Sequence, residues 1–397
     1  MIDVCKAIEI IKSSVKTIGN EKINILSSMG RYTSKEVKAK VNNPPFSMSA
    51  MDGYAIKFSS KSSNKTKYSV KEEVFAGSRH DINMKEFETI RIFTGGKLPK
   101  KADTIIIQEN AKVLKGGLVS FKGNIKKNQY VRKEGRDFKK GEIILNKNHF
   151  ISERDLGLLV SSGNKFINVK KKPKVIIFST GDEIIEHGNK LKEGQIFASS
   201  LYMLKELILK EGCVCKEIKI IKDNLYDLNK NFTNIKGADL VITTGGISVG
   251  KKDLVKQSLL NAGLKIKFWK VKIKPGKPLM FGLLKNIPVF SLPGNPVSSY
   301  ICFVVFVLIA INRLNNSSSN VKQMEATLKN NIDEYSTRES YLRAIYNIEK
   351  NNIYVTVLKD QDSSLMKNLS LSNCIVIIKA KERIIRKGEK VKILIYQ

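Results

Sequence analysis

Asp239-Leu240-Val241-Ile242-Thr243-Thr244-Gly245-Gly246-Ile247-Ser248-Val249-Gly250-Lys251-Lys252-Asp253 decides how this chain folds. Residues 239–244 form a short apolar run of the kind found in strands buried on both faces. The run breaks into a glycine loop, and helical spacing takes over across Asp253–Ala262. Strand, loop and helix start make up one step of a wound α/β sheet. The glycines let the backbone approach a ligand and turn N–H groups toward an anion, and the helix N-terminus adds positive potential. No Gly-Lys-Ser/Thr follows, so this is not a Walker loop, and the spacing is not that of a dinucleotide fingerprint. Taken alone, the loop reads equally well as a tight turn.

The neighbouring sequence repeats the pattern. Val175–Ser179 is a second apolar strand, running into Thr180-Gly181-Asp182-Glu183. Helical spacing covers Phe197–Lys210 and Asp227–Ile235, and Val214–Ile220 alternates as a strand. Further strands are expected at Lys267–Ile273, Leu279–Phe281 and Val289–Leu292, before an apolar helix over Val297–Ile311. Alternating strands and helices predict a doubly wound, mostly parallel sheet that takes ligands beyond its strand carboxyl ends. Lys274-Pro275-Gly276-Lys277-Pro278 fixes two cations with little freedom to lose on binding an oxyanion. In Leu292-Pro293-Gly294-Asn295-Pro296-Val297-Ser298-Ser299, Pro296 suits a first helical turn and Ser298 faces the space above the sheet. Any one of these loops could be a rigid turn, but four at the strand ends of one sheet point to an anion site. Glu183 and Asp253 supply carboxylates near bound phosphates, the usual way to hold Mg²⁺.

The flanking regions are different. Apolar spacing over Met1–Ile18 predicts a helix, and Asn42-Asn43-Pro44-Pro45 is a stop signal. Short alternating runs from Phe46 to Asp137, among them Thr104–Gln108 and Lys112–Ser120, predict a β-rich lobe. Ser152–Ser162 reads as a helix capped by Ser152, with Leu156, Leu159 and Val160 inward. Asn315–Asn320 is a polar linker. Beyond it, strands are expected at Glu325–Lys329, Tyr341–Ile348, Ile353–Leu358, Cys374–Ile378 and Val391–Ile395.

Composition narrows the class. The 397 residues exceed a single core and carry 70 Lys+Arg against 37 Asp+Glu, a formal charge of +33. The lysines are spread along the chain without a basic arm, which argues against nucleic acid and for a lysine-rich surface. Five dispersed cysteines and three histidines form no zinc pattern and suit a reducing, cytoplasmic setting. Tyr300–Ile311 is about half a membrane span, so a buried core helix and no membrane association are expected.

Several segments carry a resemblance. Pro44-Pro45-Phe46-Ser47-Met48-Ser49-Ala50-Met51-Asp52-Gly53-Tyr54-Ala55 is similar to the most recognisable segment of the molybdopterin molybdenumtransferase family, the molybdenum insertases that include the gephyrin E domain. Ile92–Pro99, Ala102-Asp103-Thr104, Glu134-Gly135-Arg136-Asp137 and the four strand-end loops agree in order. The resemblance implies insertion of molybdate into adenylylated molybdopterin with release of AMP, the final step of molybdenum cofactor synthesis. Lys274, Lys277 and Ser298 match positions that would form the molybdate pocket, with Arg343 and Ser363 from the C-terminal domain. Gly245, Gly246, Ser248, Gly250, Pro293, Gly294 and Pro296 would bind substrate. Mg²⁺ and pyrophosphate would fall to Glu183, Asp223 and Asp253. Asp52, Thr94 and Asp137 match catalytic positions that approach the other protomer's site in a homodimer. The implied architecture is an elongated α/β plus β chain. It would comprise a linker domain (1–45 with 138–173), the β-rich lobe (46–137), the α/β domain (174–314) and a small barrel-like β domain (321–397). A molybdopterin adenylyltransferase and recipient molybdoenzymes are the expected protein partners.

Alternatives remain at single residues. Asp52 before Gly53 could shape a turn, Asp223 could cap the following helix, and Arg343 could lie on an exposed strand edge. An adenylyltransferase or a pyridine-nucleotide amidohydrolase built on the same α/β domain would not need the Pro44–Ala55 segment. A non-catalytic scaffold would not need Asp52, Glu183, Asp253, Lys274 and Lys277.

Overall fold

The computed structural model describes residues 1–59, 66–78, 82–246, 253–315, 321–333, 336–380 and 384–396. The chain forms two compact units, residues 22–169 and residues 1–21 with 170–397.

The first unit contains the β-rich lobe. Its six-stranded sheet has the spatial order Thr104–Ile107, Gly53–Ile56, Glu88–Ile92, Lys67–Val74, Leu118–Phe121 and Ala111–Leu114. The run expected over Lys112–Ser120 is a hairpin, because Gly116 and Gly117 both take positive φ and reverse the chain. Gly53 is required by packing, since a Cβ there would lie 2.0 Å from the Ile106 carbonyl oxygen. Helix Glu153–Ser161 starts as expected, with the Asp155 carboxylate accepting from both the N–H and the hydroxyl of Ser152. Leu159 is buried, but Val160, expected inward, is exposed: it sits one residue off the buried stripe.

In the second unit α1 (Val4–Ser14) leads to β1 (Lys174–Thr180), α2 (Ser199–Lys210), β2 (Val214–Ile221) and α3 (Leu225–Thr233). There follow β3 (Leu240–Thr244), α4 (Leu254–Asn261), β4 (Leu264–Trp269), β5 (Met280–Leu284), β6 (Ile287–Leu292) and α5 (Pro296–Asn315). The sheet order is β2-β1-β3-β6-β5-β4, with only β5 antiparallel to its neighbours. Val175 and Ile177 join one core with α1, α2 and α5, while Ile176 and Phe178 join another with α3 and α4. Burying each such side chain contributes about 1.5–3 kcal/mol, which is why the run is apolar throughout rather than alternating. Residues 1–21, which the resemblance places with 138–173, share their core with this sheet through Val4, Ala7, Ile11 and Val15.

α5 is longer than the Tyr300–Ile311 run that announced it and includes a π-helical turn at Phe303–Val307. By length and composition it could cross a bilayer, but 78% of its apolar window is buried inside the unit, as expected of a core helix.

After the helix come β7 (Lys322–Leu328), β8 (Glu339–Glu349), β9 (Asn352–Val357), α6 (Met366–Leu371), β10 (Cys374–Ile378) and β11 (Lys390–Ile395). The pairings β8–β9, β9–β7, β7–β11, β11–β10 and β10–β8 close a small barrel. The short helix α6 had no sequence signal. The strand expected over Lys267–Ile273 is broken instead. Lys270 takes φ 66°, the chain leaves the sheet, and Ile273-Lys274 pairs in parallel with Glu339-Ser340 of β8. That pairing sets the lysine loop beside the barrel.

Candidate functional site

Ser179, Thr244 and Leu292 stand level with one another across β1, β3 and β6. Their loops therefore open side by side at the carboxyl edge. Gly245 (φ 85°) is needed there because a Cβ would lie 2.2 Å from the Thr180 carbonyl oxygen. A Cβ on Gly294 would lie 3.5 Å from the Gly245 Cα, so the two loops pack back to back. Thr244 Oγ1 donates to the Pro293 carbonyl at 3.1 Å and Ser200 Oγ to that of Gly294 at 3.2 Å. A Cβ on Gly246 would lie 2.3 Å from Val255 of α4. Ser248 and Gly250, expected in the same loop, lie outside the described residues.

Lys274, Lys277, Ser298, Arg343 and Ser363 all line one cavity of about 360 Å³. Gly276 (φ 118°) lets the lysine loop press against α5, where a Cβ would lie 2.6 Å from Cys302 Sγ. Pro296 is the first residue of α5, and buried Ser298 is in its first turn. The Ser363 carbonyl accepts from the Val297 N–H at 3.2 Å, and Asn295 Nδ2 donates to Ser363 Oγ at 2.8 Å.

Arg343 is not on an exposed edge, since its relative exposure is 1%. Its Nε donates to Gln361 Oε1, one terminal nitrogen to the Leu365 carbonyl, and the other to the carbonyls of Asp360 and Asp362, at 2.9–3.3 Å. Four of the five guanidinium N–H groups thus hold the loop that carries Ser363. Burial pulls its pKa down from the usual value, while Asp360 and Asp362 pull it back up.

Gln361 and Arg338 also line this cavity and Asn295 holds Ser363 at its edge, and sequence reasoning had not singled these three out. Arg338 lines the pocket and donates to the Ile273 carbonyl at 3.3 Å. Its sequence signal was weak: one arginine ahead of an alternating strand, in a chain with 70 basic residues.

The three carboxylates expected at a metal do not all meet. Asp253 caps α4, accepting from the Lys256 N–H at 3.3 Å through Oδ1, while Oδ2 is buried with no hydrogen-bond partner among the described residues. Burial and then the charge of Asp223 raise its pKa, and Lys256 and Lys270 act against them. Asp223 is not the cap of α3: Asn224 is, accepting from the Asp227 N–H at 2.9 Å. The Asp223 N–H instead donates to Asp182 Oδ1 at 3.1 Å. Glu183 is exposed beside Gly181, and no three His, Cys, Asp or Glu side chains converge among the described residues.

In the unit of residues 22–169, Asp52 Oδ1 accepts from the Thr94 N–H at 2.7 Å and its hydroxyl at 2.8 Å. These bonds, with Arg91 nearby, hold the Asp52 carboxyl below its usual range. The aspartate does more than shape a turn. Asp137 Oδ2 accepts from Asn43 Nδ2 at 3.0 Å.

Three family models match the chain in order. They are the MoeA N-terminal region (domain I and II) over residues 2–163, the "Probable molybdopterin binding domain" over 176–313, and the MoeA C-terminal region (domain IV) over 325–396. A molybdopterin molybdenumtransferase of Haemophilus influenzae is 33% identical, over 94% of this chain and 93% of its own length. Gephyrin of Dictyostelium discoideum is 30% identical over 100% of this chain and 62% of its own length. The crystal structure of a molybdopterin biosynthesis MoeA protein from Pyrococcus horikoshii superposes with a TM-score of 0.86 at 25% identity, covering 100% of this chain and 99% of that one.

Proposed function

We propose that this chain, which belongs to the molybdopterin molybdenumtransferase family, inserts molybdate into adenylylated molybdopterin and releases AMP, completing the molybdenum cofactor. The observation that carries this is the single cavity bringing together Lys274, Lys277, Ser298 and Ser363. A tetrahedral dianion needs cations and hydrogen-bond donors from several directions, and the lysine loop, the first turn of α5 and the barrel loop provide them. Arg343 acts there as the frame of the barrel loop, with most of its donors already committed.

The glycine loops at Gly245, Gly246 and Gly294 present backbone to the rest of the substrate. Asp223 and Asp253 would hold a Mg²⁺ beside the substrate phosphates, since Asp253 Oδ2 is buried with no hydrogen-bond partner among the described residues. Bound there, the ion would neutralise charge developing on the phosphoanhydride during hydrolysis. Glu183, exposed at the end of β1, would add a further carboxylate to this site. We place Asp52, Thr94 and Asp137 in a homodimer, reaching the partner protomer's site. Asp52, ionised at ordinary pH and oriented by Thr94, would accept a proton or position the attacking water. The same reading takes the substrate from a molybdopterin adenylyltransferase and passes the product to molybdoenzymes. All five cysteines are unpaired, which supports a cytoplasmic setting.

The test is molybdate-dependent release of AMP from adenylylated molybdopterin. Lys277→Ala should raise the KM for molybdate about tenfold or more, as expected for a lost charged contact. Asp52→Ala should lower kcat by roughly 10²-fold or more. Full activity in both variants would defeat the assignment.

A further inference from the structure

Beside Asp253, at the start of α4, lies a cluster of side chains that the proposed reaction does not use. Trp269, the only tryptophan in the chain, ends β4 at the carboxyl edge of the sheet and packs against the core under α4. Lys256 Nζ lies 3.5 Å from its ring centroid and Lys270 Nζ 4.2 Å. The indole N–H is buried and has no hydrogen-bond partner among the described residues. Lys270 holds a left-handed backbone that a lysine rarely adopts, and this turn brings its ammonium group onto the ring.

Packing alone explains this arrangement poorly. Two ammonium groups gathered on one half-buried ring repel each other, and a buried donor with no partner among the described residues has lost its water. Cation–π attraction to the indole offsets part of that cost and fixes where the charges sit. Asp253 Oδ1 accepts from the Lys256 N–H at 3.3 Å as the cap of the helix that carries this lysine, and Asp223 follows the end of β2 at the same carboxyl edge of the sheet. A bare anion would meet the two carboxylates there, and a bare cation would meet the two lysines. A pyrophosphate carrying a divalent cation satisfies all of these groups: ammonium and indole N–H to phosphate oxygens, carboxylates to the metal.

We propose that Lys256 and Lys270, positioned by Trp269, bind the phosphate oxygens of the substrate's nucleoside pyrophosphate. This inference rests on the substrate assigned above. The segment Trp269–Pro278 would then serve both ends of the chemistry, with Lys270 toward the pyrophosphate and Lys274 and Lys277 toward molybdate.

The single tryptophan provides the readout. Titrating the full chain with pyrophosphate in the presence of Mg²⁺ should change Trp269 emission saturably, because an anion bound by the two ring-held ammonium groups changes the charge beside the indole. Lys256→Ala and Lys270→Ala should each weaken that binding roughly tenfold, the lower end for a lost bond to a charged group. Lys277→Ala should titrate like the wild type. In Trp269→Phe, followed by calorimetry, the ring remains but the N–H donor is gone, and a loss of about threefold or more is expected. Circular dichroism checks that each variant is folded. No saturable change in the wild type, or folded lysine variants that titrate like the wild type, would overturn the proposal. AMP release separates the two readings. A wild type that releases AMP while Lys256→Ala and Lys270→Ala keep its KM for adenylylated molybdopterin defeats only this subsite. A wild type that binds Mg²⁺-pyrophosphate through these lysines but releases no AMP defeats the assigned reaction and leaves the subsite standing.

Discussion

Replacing Arg343 by lysine and by methionine separates two accounts of the molybdate pocket. If the guanidinium contacted molybdate directly, lysine would keep the charge and much of the function. The structure instead commits the side chain to Gln361 Oε1 and to the carbonyls of Asp360, Asp362 and Leu365. A lysine has three donors at one point and cannot span acceptors spread over six residues. Removing four such bonds costs about 0.5–1.5 kcal/mol each, with the lower half expected because the freed carbonyls lie in a half-exposed loop that can rehydrate. The loop then loses about 2–4 kcal/mol of local stability. At about 1.4 kcal/mol per factor of ten, a loop conformation that falls to a minor population lowers apparent affinity by up to roughly 30- to 900-fold, read in the KM for molybdate. Lysine and methionine should behave alike, and amide exchange should speed up across residues 358–366 in both. A lysine variant near wild type, or a methionine variant with normal exchange but weakened molybdate binding, would refute the framing role and restore direct contact.

Gly276→Ala should destabilise the protein by about 2–5 kcal/mol in urea unfolding, summing positive-φ strain and a Cβ 2.6 Å from the buried Cys302 Sγ; combining it with Cys302→Ala should recover part of that loss, and strict additivity would argue against the clash. Thr94→Ala should raise the Asp52 pKa toward the ordinary carboxylate value, shifting the acidic limb of the kcat profile to higher pH, with carboxyl NMR titration as the check. Burial pushes the Asp155 carboxyl up, but Ser152 and His149 outweigh it and the net shift is down. Its contribution to the unit of residues 22–169 is therefore complete above the unfolded carboxylate pKa of about 4 and lost as pH falls through the lower folded value. Asp155→Asn should flatten acid unfolding in that window, and an unchanged curve would count against the capping box. Raising salt from about 50 to 200 mM should abolish any binding to duplex DNA while changing the KM for molybdate no more than roughly threefold; parallel collapse of both would mean that surface charge drives the pocket.

The parts of the site that were legible in sequence are those whose determinants are local. Pro275, Gly276 and Pro278 announce a fixed lysine loop, and the apolar runs at Val175 and Leu240 announce strands buried on both faces. What sequence did not reveal depends on contacts between distant residues. Nothing near Lys274 signals its pairing with Ser340, and the expected strand over Lys267–Ile273 hid the break at Lys270 that makes it possible. Gln361 and Asn295 were visible only as polar loop residues, because their roles come from partners at Arg343 and Ser363. Arg343 was found through resemblance, but periodicity alone could not tell an exposed edge from the interior of a closed barrel.

Constraint rather than abundance distinguishes the cations of the site. A chain with 70 lysines and arginines has no shortage of positive charge, and most of it sits on mobile side chains screened by water and salt. A surface lysine that closes on an anion gives up rotamer freedom worth up to about 2 kcal/mol, which cancels much of its attraction. Lys274 and Lys277 sit on a backbone already fixed by two prolines and by the contact of Gly276 with Cys302. Lys256 and Lys270 have their ammonium groups held on an indole ring. Arg343 is immobilised by the loop that it organises. In each case folding has met the ordering cost before the ligand arrives, so the attraction is retained in binding. The same reasoning explains how the surface of this protein can be rich in lysine without masking the few residues on which its chemistry depends.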